Sequence, residues 1–176
     1  MKNDRLAALL HYIIESVPGA ELGAVKLNKI AWFADRDAFA LLGRSISGRE
    51  YIKLQYGPVP RGVLNEIEHL KNTGCIVEKK VTVVDFSRRE YESIQRSDFS
   101  LFSHDELSIV DQVIAFSRNK SAAELSDISH DEVWQSHELG EVISMQHAAA
   151  AAFMKPVDEK ALEWVRRIEG HQKEGA

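Results

Sequence analysis

The stretch Lys26-Leu27-Asn28-Lys29-Ile30-Ala31-Trp32-Phe33-Ala34-Asp35-Arg36-Asp37-Ala38-Phe39-Ala40-Leu41 decides the architecture. Leu27, Ile30, Ala31, Ala34, Ala38 and Leu41 fall on one helical stripe, and Trp32, Phe33 and Phe39 widen its apolar arc. A helix this apolar belongs at the centre of a domain, contacted on several sides. Gly43 supplies its C-terminal stop. Lys26, Lys29 and Arg36 fall off the stripe and are expected on the solvent side, with Asp35 and Asp37 as part of a solvated face.

Upstream, Leu6, Leu9, Leu10, Ile13, Ile14 and Val17 recur at helical spacing, which predicts a helix over about 4–16 ended by Pro18-Gly19. Downstream, Glu50 to Tyr56 reads as extended, and Gly57-Pro58-Val59-Pro60 as a break in the chain. A third helix carries Val63, Leu64, Ile67 and Leu70 and stops at Gly74. The β-branched run Ile76–Val84 and the segment Glu90–Ile94 form a hairpin, with Arg88 and Arg89 at or near its tip.

The second half is helical and its starts are well marked. Ser103-His104-Asp105-Glu106 is a capping box with Phe102 and Leu107 as staple; Ser121–Glu124 and Ser129–Glu132 repeat the box. Ala148–Ala152 is expected to be helical. After Pro156, Asp158 caps a last helix through Ala161, Leu162, Val165 and Ile168, and residues 170–176 are expected to fray. The reading is therefore mainly α with a small antiparallel β-hairpin, an α+β arrangement in one helical domain. The order of elements in residues 1–96 is that of a winged-helix module.

Composition narrows the function. At 44% apolar and 28% charged, 176 residues fold without help from disulfides, and the lone Cys75 cannot form an internal one. A reducing, cytoplasmic setting is the natural expectation. The opening residues resemble no targeting peptide, and no apolar run reaches the ~18 residues needed to cross a bilayer. A net charge of −5 argues against nucleic acid as main partner.

No catalytic, cofactor or metal site is expected. His130 and His137 are the closest helical histidine pair, and seven residues put them about 10 Å apart, too far to share an ion. Cys75 lies between Gly74 and an apolar strand, the setting of a buried, inert thiol. Around Gly57-Pro58-Val59-Pro60-Arg61-Gly62 the prolines remove the N–H donors a phosphate cradle needs. Arg61, Arg88 and Arg89 are candidate DNA contacts if the third helix acts as reader and the hairpin as wing. Glu66 and Glu68 in the middle of that helix oppose this.

Three segments together carry a resemblance. Lys26–Asp35 resembles the Lys-Leu-x-Lys-Leu-x-Tyr helix of the Panacea, or SocA-like, antitoxin family. Gly48–Pro60 is similar to its Tyr-Gly-Pro-Val element, and Leu125-Ser126-Asp127-Ile128-Ser129-His130 followed by Trp134 to its late Leu-Ser-x-x-Ser-His…Trp signature. The resemblance implies a domain over 1–140, with 141–176 as a helical extension packing on it. It further implies a type II toxin–antitoxin role, in which a partner toxin is neutralised by direct binding. The alternatives are a winged-helix-like autoregulator on operator DNA, and an adaptor delivering a toxin to a protease. Candidate partner-binding residues are Lys26, Lys29, Arg36, Tyr56, Gly57, Pro58, Pro60 and Arg61. Trp134 is expected in the core, and His130 in a local capping role.

Overall fold

The computed structural model describes residues 4–83 and 86–153. Helix α1 (Arg5–Ser16) starts where the Asp4 carboxylate accepts the Leu6 N–H, and its inward face buries Leu6, Leu9, Leu10, Ile13 and Ile14. After a single 3-10 turn at Gly19–Glu21, α2 (Ala24–Leu42) runs to Gly43, which takes the left-handed conformation at φ 73°. Helices α1, α4 (His104–Ser117), α5 (Ala122–Ser129) and α7 (Met145–Phe153) all pack on α2. The apolar arc is thus met from several sides, as its breadth demands. Leu41 is the exception: in the last turn of α2 it is 62% exposed, on the wall of a surface groove facing α4.

Enclosure on so many sides overturns the expected solvent face of α2. Lys26, Lys29 and Asp35 are all buried. Asp35 is fully enclosed, and its carboxylate accepts the Ser47 N–H at 2.8 Å, the Ser47 hydroxyl, and the Tyr51 hydroxyl at 2.8 Å. Burial raises its pKa above the usual carboxylate range, while these donors oppose the rise. Beside them the Tyr51 and Trp32 rings meet edge to face, centroids 5.0 Å apart.

Strand β1 (Tyr51–Leu54) pairs antiparallel with β2 (Gly57–Pro60), so the expected break at Gly57–Pro60 is a strand. The register explains how two prolines fit. The alternation continues through the Arg61 N–H, which donates to the Glu50 carbonyl at 2.8 Å. Gly57 and Val59 are therefore the bonded positions, while Pro58 and Pro60 fall where the N–H would face the open edge. On its other side β1 pairs with β5 (Val142–Ile143), which gives the order β2-β1-β5.

Helix α3 (Val63–Asn72) follows, burying Val63, Ile67 and Leu70 but leaving Leu64 66% exposed, contrary to its expected core role. The hairpin is longer than the sequence implied. β3 (Ile76–Val83) and β4 (Phe86–Ser93) zip as far as Val83↔Phe86, so Arg88 and Arg89 sit opposite Val81 and Lys80 within the ladder rather than at its tip. The winged-helix order of elements is present, but β1 joins β2 and β5, and β3–β4 form a separate sheet. Cys75 is half-buried rather than buried, with the Thr73 hydroxyl 3.4 Å from its sulfur.

The boxes at Ser103 and Ser121 cap α4 and α5 reciprocally through Glu106 and Glu124. Glu106 does more than cap: it is buried and meets Arg5 at 2.8 Å and Arg44 at 3.3 Å. Burial pushes its pKa up, but the Ser103 N–H and the Arg5 guanidinium outweigh that and hold it below the usual range. The third box fails. α6 (Glu132–Gln135) is capped by Asp131, while Ser129 ends α5 with its hydroxyl on the Ser126 carbonyl. The predicted Asp158-capped helix and the frayed 170–176 lie outside the described residues. Among the described residues no helix is long and apolar enough to cross a membrane.

Removing Asp35 strands two buried hydroxyls and an N–H at once. Asp35→Ala is expected to lower stability by about 3 kcal/mol or more, read as a shift in the urea midpoint; a loss below ~1 kcal/mol would refute this role.

Candidate partner-binding site

The three segments singled out in the sequence meet around one carbonyl. Tyr56 follows β1, and its backbone oxygen accepts the Lys29 ammonium from α2 and, at 3.3 Å, the Ser126 hydroxyl from α5. Lys29 is 1% exposed, so its charge has exchanged water for this carbonyl. Burial lowers its pKa to about 8. Gly57 is required beside it. Its φ is +110°, and an added Cβ would overlap Lys29 Nζ and lie 2.6 Å from Ser129 Oγ.

The late signature completes the cluster. His130 closes α5 as its C-terminal cap instead of capping the next helix, and its ring stacks on Trp134, centroids 3.8 Å apart and 12° from parallel. The Lys53 ammonium from β1 stands 3.9 Å from the Trp134 ring centre and donates to the His137 carbonyl at 2.7 Å. Trp134 is half-buried, and its Nε1, like His130 Nε2, has no hydrogen-bond partner among the described residues. Burial lowers the His130 pKa, helped by the charges of Lys29 and Lys53 and opposed by Asp127 and the Tyr56 carbonyl.

The expected contact residues separate into two sets. Lys26, Lys29, Gly57, Pro58 and Pro60 are buried. Lys26 reaches the Arg118 carbonyl, 3.5 Å away at the end of α4, where the helix dipole favours a cation. Arg36 is largely covered, paired with Asp37 at 2.8 Å and lying over the Phe33 ring. Tyr56 and Arg61 remain exposed, and Arg61 pairs at 2.9 Å with an equally exposed Glu50. Arg88 is engaged by Glu90 and the Ala20 carbonyl, and Arg89 by Glu78 at 3.9 Å.

Sequence reasoning missed a groove of about 480 Å³ where α2, the β1–β2 hairpin and the start of α3 meet. Val25, Asn28, Leu54, Tyr56, Arg61 and Leu64 line it, with Lys29 and Pro60. Leu54 reads as part of an extended segment and Leu64 as one of the apolar positions of the third helix, and periodicity does not reveal that no element packs over them. A second groove of about 430 Å³ lies between α2 and α4, walled by Leu41, Phe116 and Phe153.

Two outcomes test the cluster. Gly57→Ala is expected to destabilise by about 2–4 kcal/mol, and pairing it with Lys29→Ala to cost less than the two losses added; strict additivity would remove the proposed overlap. For His130 the folded pKa is below the unfolded one, so stability is lost as pH falls below the unfolded value of about 6.5. The urea midpoint of the wild type should drop more between pH 7.5 and 5.5 than that of His130→Phe; equal drops would clear His130 of any part.

No curated protein and no solved structure matches the chain. The family model described as antitoxin SocA-like, Panacea domain, matches residues 27–135. That span begins in α2 and ends with α6, and it holds Lys29, Lys53, Tyr56, Gly57, Ser126, Ser129, His130 and Trp134. With most of its length matched, cluster included, the chain belongs to the SocA-like antitoxin family and carries its Panacea domain.

Proposed function

We propose that the protein is the antitoxin of a type II toxin–antitoxin system and neutralises a partner toxin by binding it directly. The observation that carries this is the family match over a cluster whose polar groups are turned inward, next to an apolar groove open to solvent. A non-catalytic role fits the same arrangement. Lys29, Ser129 and Lys53, the groups nearest to chemistry, each donate to a backbone carbonyl. A cytoplasmic location is part of this proposal.

Binding to operator DNA is less favoured on charge. Glu66 and Glu68 stand on α3, and Arg88 and Arg89 each have a carboxylate partner. Delivery of a toxin to a protease is a downstream variant of the same binding.

The test is co-expression with the product of the neighbouring gene. The expected result is that this protein restores growth against that product and co-purifies with it, with the toxin's half-life unchanged. No toxicity and no complex would overturn the proposal. A shortened half-life would make the protein an adaptor, and a salt-dependent shift of promoter DNA by the chain alone would favour the regulator.

A further inference from the structure

We infer that the groove between α2, β1–β2 and α3 is the toxin-docking surface, and that its occupant is an acidic amphipathic helix of the toxin. This rests on the antitoxin reading and adds to it the surface and the chemistry of the partner.

The charge argument comes from the groove's own frame. The chain as a whole carries −5, yet among the described residues no carboxylate lines this groove, while the exposed Arg61 does. The helix ends add to this. α1, α4, α5 and α6 each have a side chain capping the N-terminus: Asp4, Ser103, Ser121 and Asp131. α2 and α3 start instead at Gly23 and Gly62, with no side-chain acceptor. Those two helices both turn first-turn residues to the groove, Val25 from α2 and Val63, Leu64 and Asn65 from α3. One exposed cation, Arg61, and the uncapped start of α3 at Gly62 therefore face one apolar trough. Arg61's pair with Glu50 is 59% exposed on each side, so a partner carboxylate displaces it at little cost.

The shape argument selects a helix over a strand. β2 forms the open edge of its sheet, but Pro58 and Pro60 occupy the outward-facing positions and offer no N–H. An added strand would find no donors there. Leu54, Tyr56 and Leu64, exposed by 41, 63 and 66%, instead present the side-chain walls that accept the apolar face of a helix.

The experiment uses the full chain and the neighbouring gene's product, with affinity measured by calorimetry and neutralisation by growth. Leu64→Asp is expected to weaken binding by about a hundredfold or more and Arg61→Glu by about tenfold, with circular dichroism melts confirming that both fold. Wild-type affinity should fall with added salt, and Arg61→Glu should flatten that dependence. Leu41→Asp, in the α2–α4 groove, should bind as wild type does. If the wild type neutralises and Leu64→Asp and Arg61→Glu do so equally well, the inference falls and the antitoxin reading stands. Loss on Leu41→Asp alone, or affinity that rises with salt, overturns it too. A wild type that neither restores growth nor co-purifies overturns both.

Discussion

The rest of the structure depends on a buried ammonium held by a backbone carbonyl. Lys29 is 1% exposed, and a charge so placed is tolerated only where the protein replaces its hydration. The Tyr56 carbonyl does so, and meeting it fixes where the β1–β2 turn lies on α2. Six residues along the same helix, Asp35 holds Ser47 and Tyr51 at the start of that strand. α2 thus grips the hairpin at both ends with opposite charges. The grip sets the direction in which the chain enters α3, and Gly57 is the residue small enough to lie beneath the ammonium.

From this anchor the order propagates outward. β1 is the middle strand of its sheet, so holding it also positions β5, and Lys53 carries the connection to Trp134 and the His137 loop. α5 arrives through Ser126 on the same carbonyl that Lys29 uses. Elements more than 70 residues apart in sequence are thereby tied to one turn. The cluster reads as a structural joint in which Lys29, Lys53, Ser126 and Ser129 each find a backbone carbonyl, while Trp134 Nε1 and His130 Nε2 have no partner among the described residues.

Much of this was legible in the sequence and some was not, for identifiable reasons. The apolar breadth of Leu27–Ala38 predicts a central helix, and Ser103, Ser121 and Gly43 mark helix ends, because capping is local chemistry. The burial of Lys26, Lys29 and Asp35 was not legible. Periodicity assigns a polar side chain to solvent, whereas their partners lie 92, 27 and 12 residues away, beyond any local pattern. The strand at Gly57–Pro60 was hidden for a related reason, since prolines argue against strands until the register shows them on an open edge. In the site, the resemblance identified the segments that meet, but spacing alone does not show that Leu54 and Leu64 are left exposed.

That division has a consequence for recognition. The residues that make the family pattern readable here, Lys29, Gly57, Ser126 and Ser129, are buried, with Lys29 and Ser126 on the Tyr56 carbonyl and Ser129 on that of Ser126. Residues so enclosed cannot choose among partners, because choice requires contact, and contact energy concentrates in exposed anchors set in pockets. On the proposed reading, selection therefore belongs to Leu54, Tyr56, Arg61 and Leu64, whose side chains stand on the joint outside its bonding. Tyr56 links the two roles within one residue: its carbonyl is fixed inside while its ring stands outside, 63% exposed. A rim side chain whose backbone is clamped by a buried charge meets its partner already ordered, and less of the binding energy is lost to ordering it.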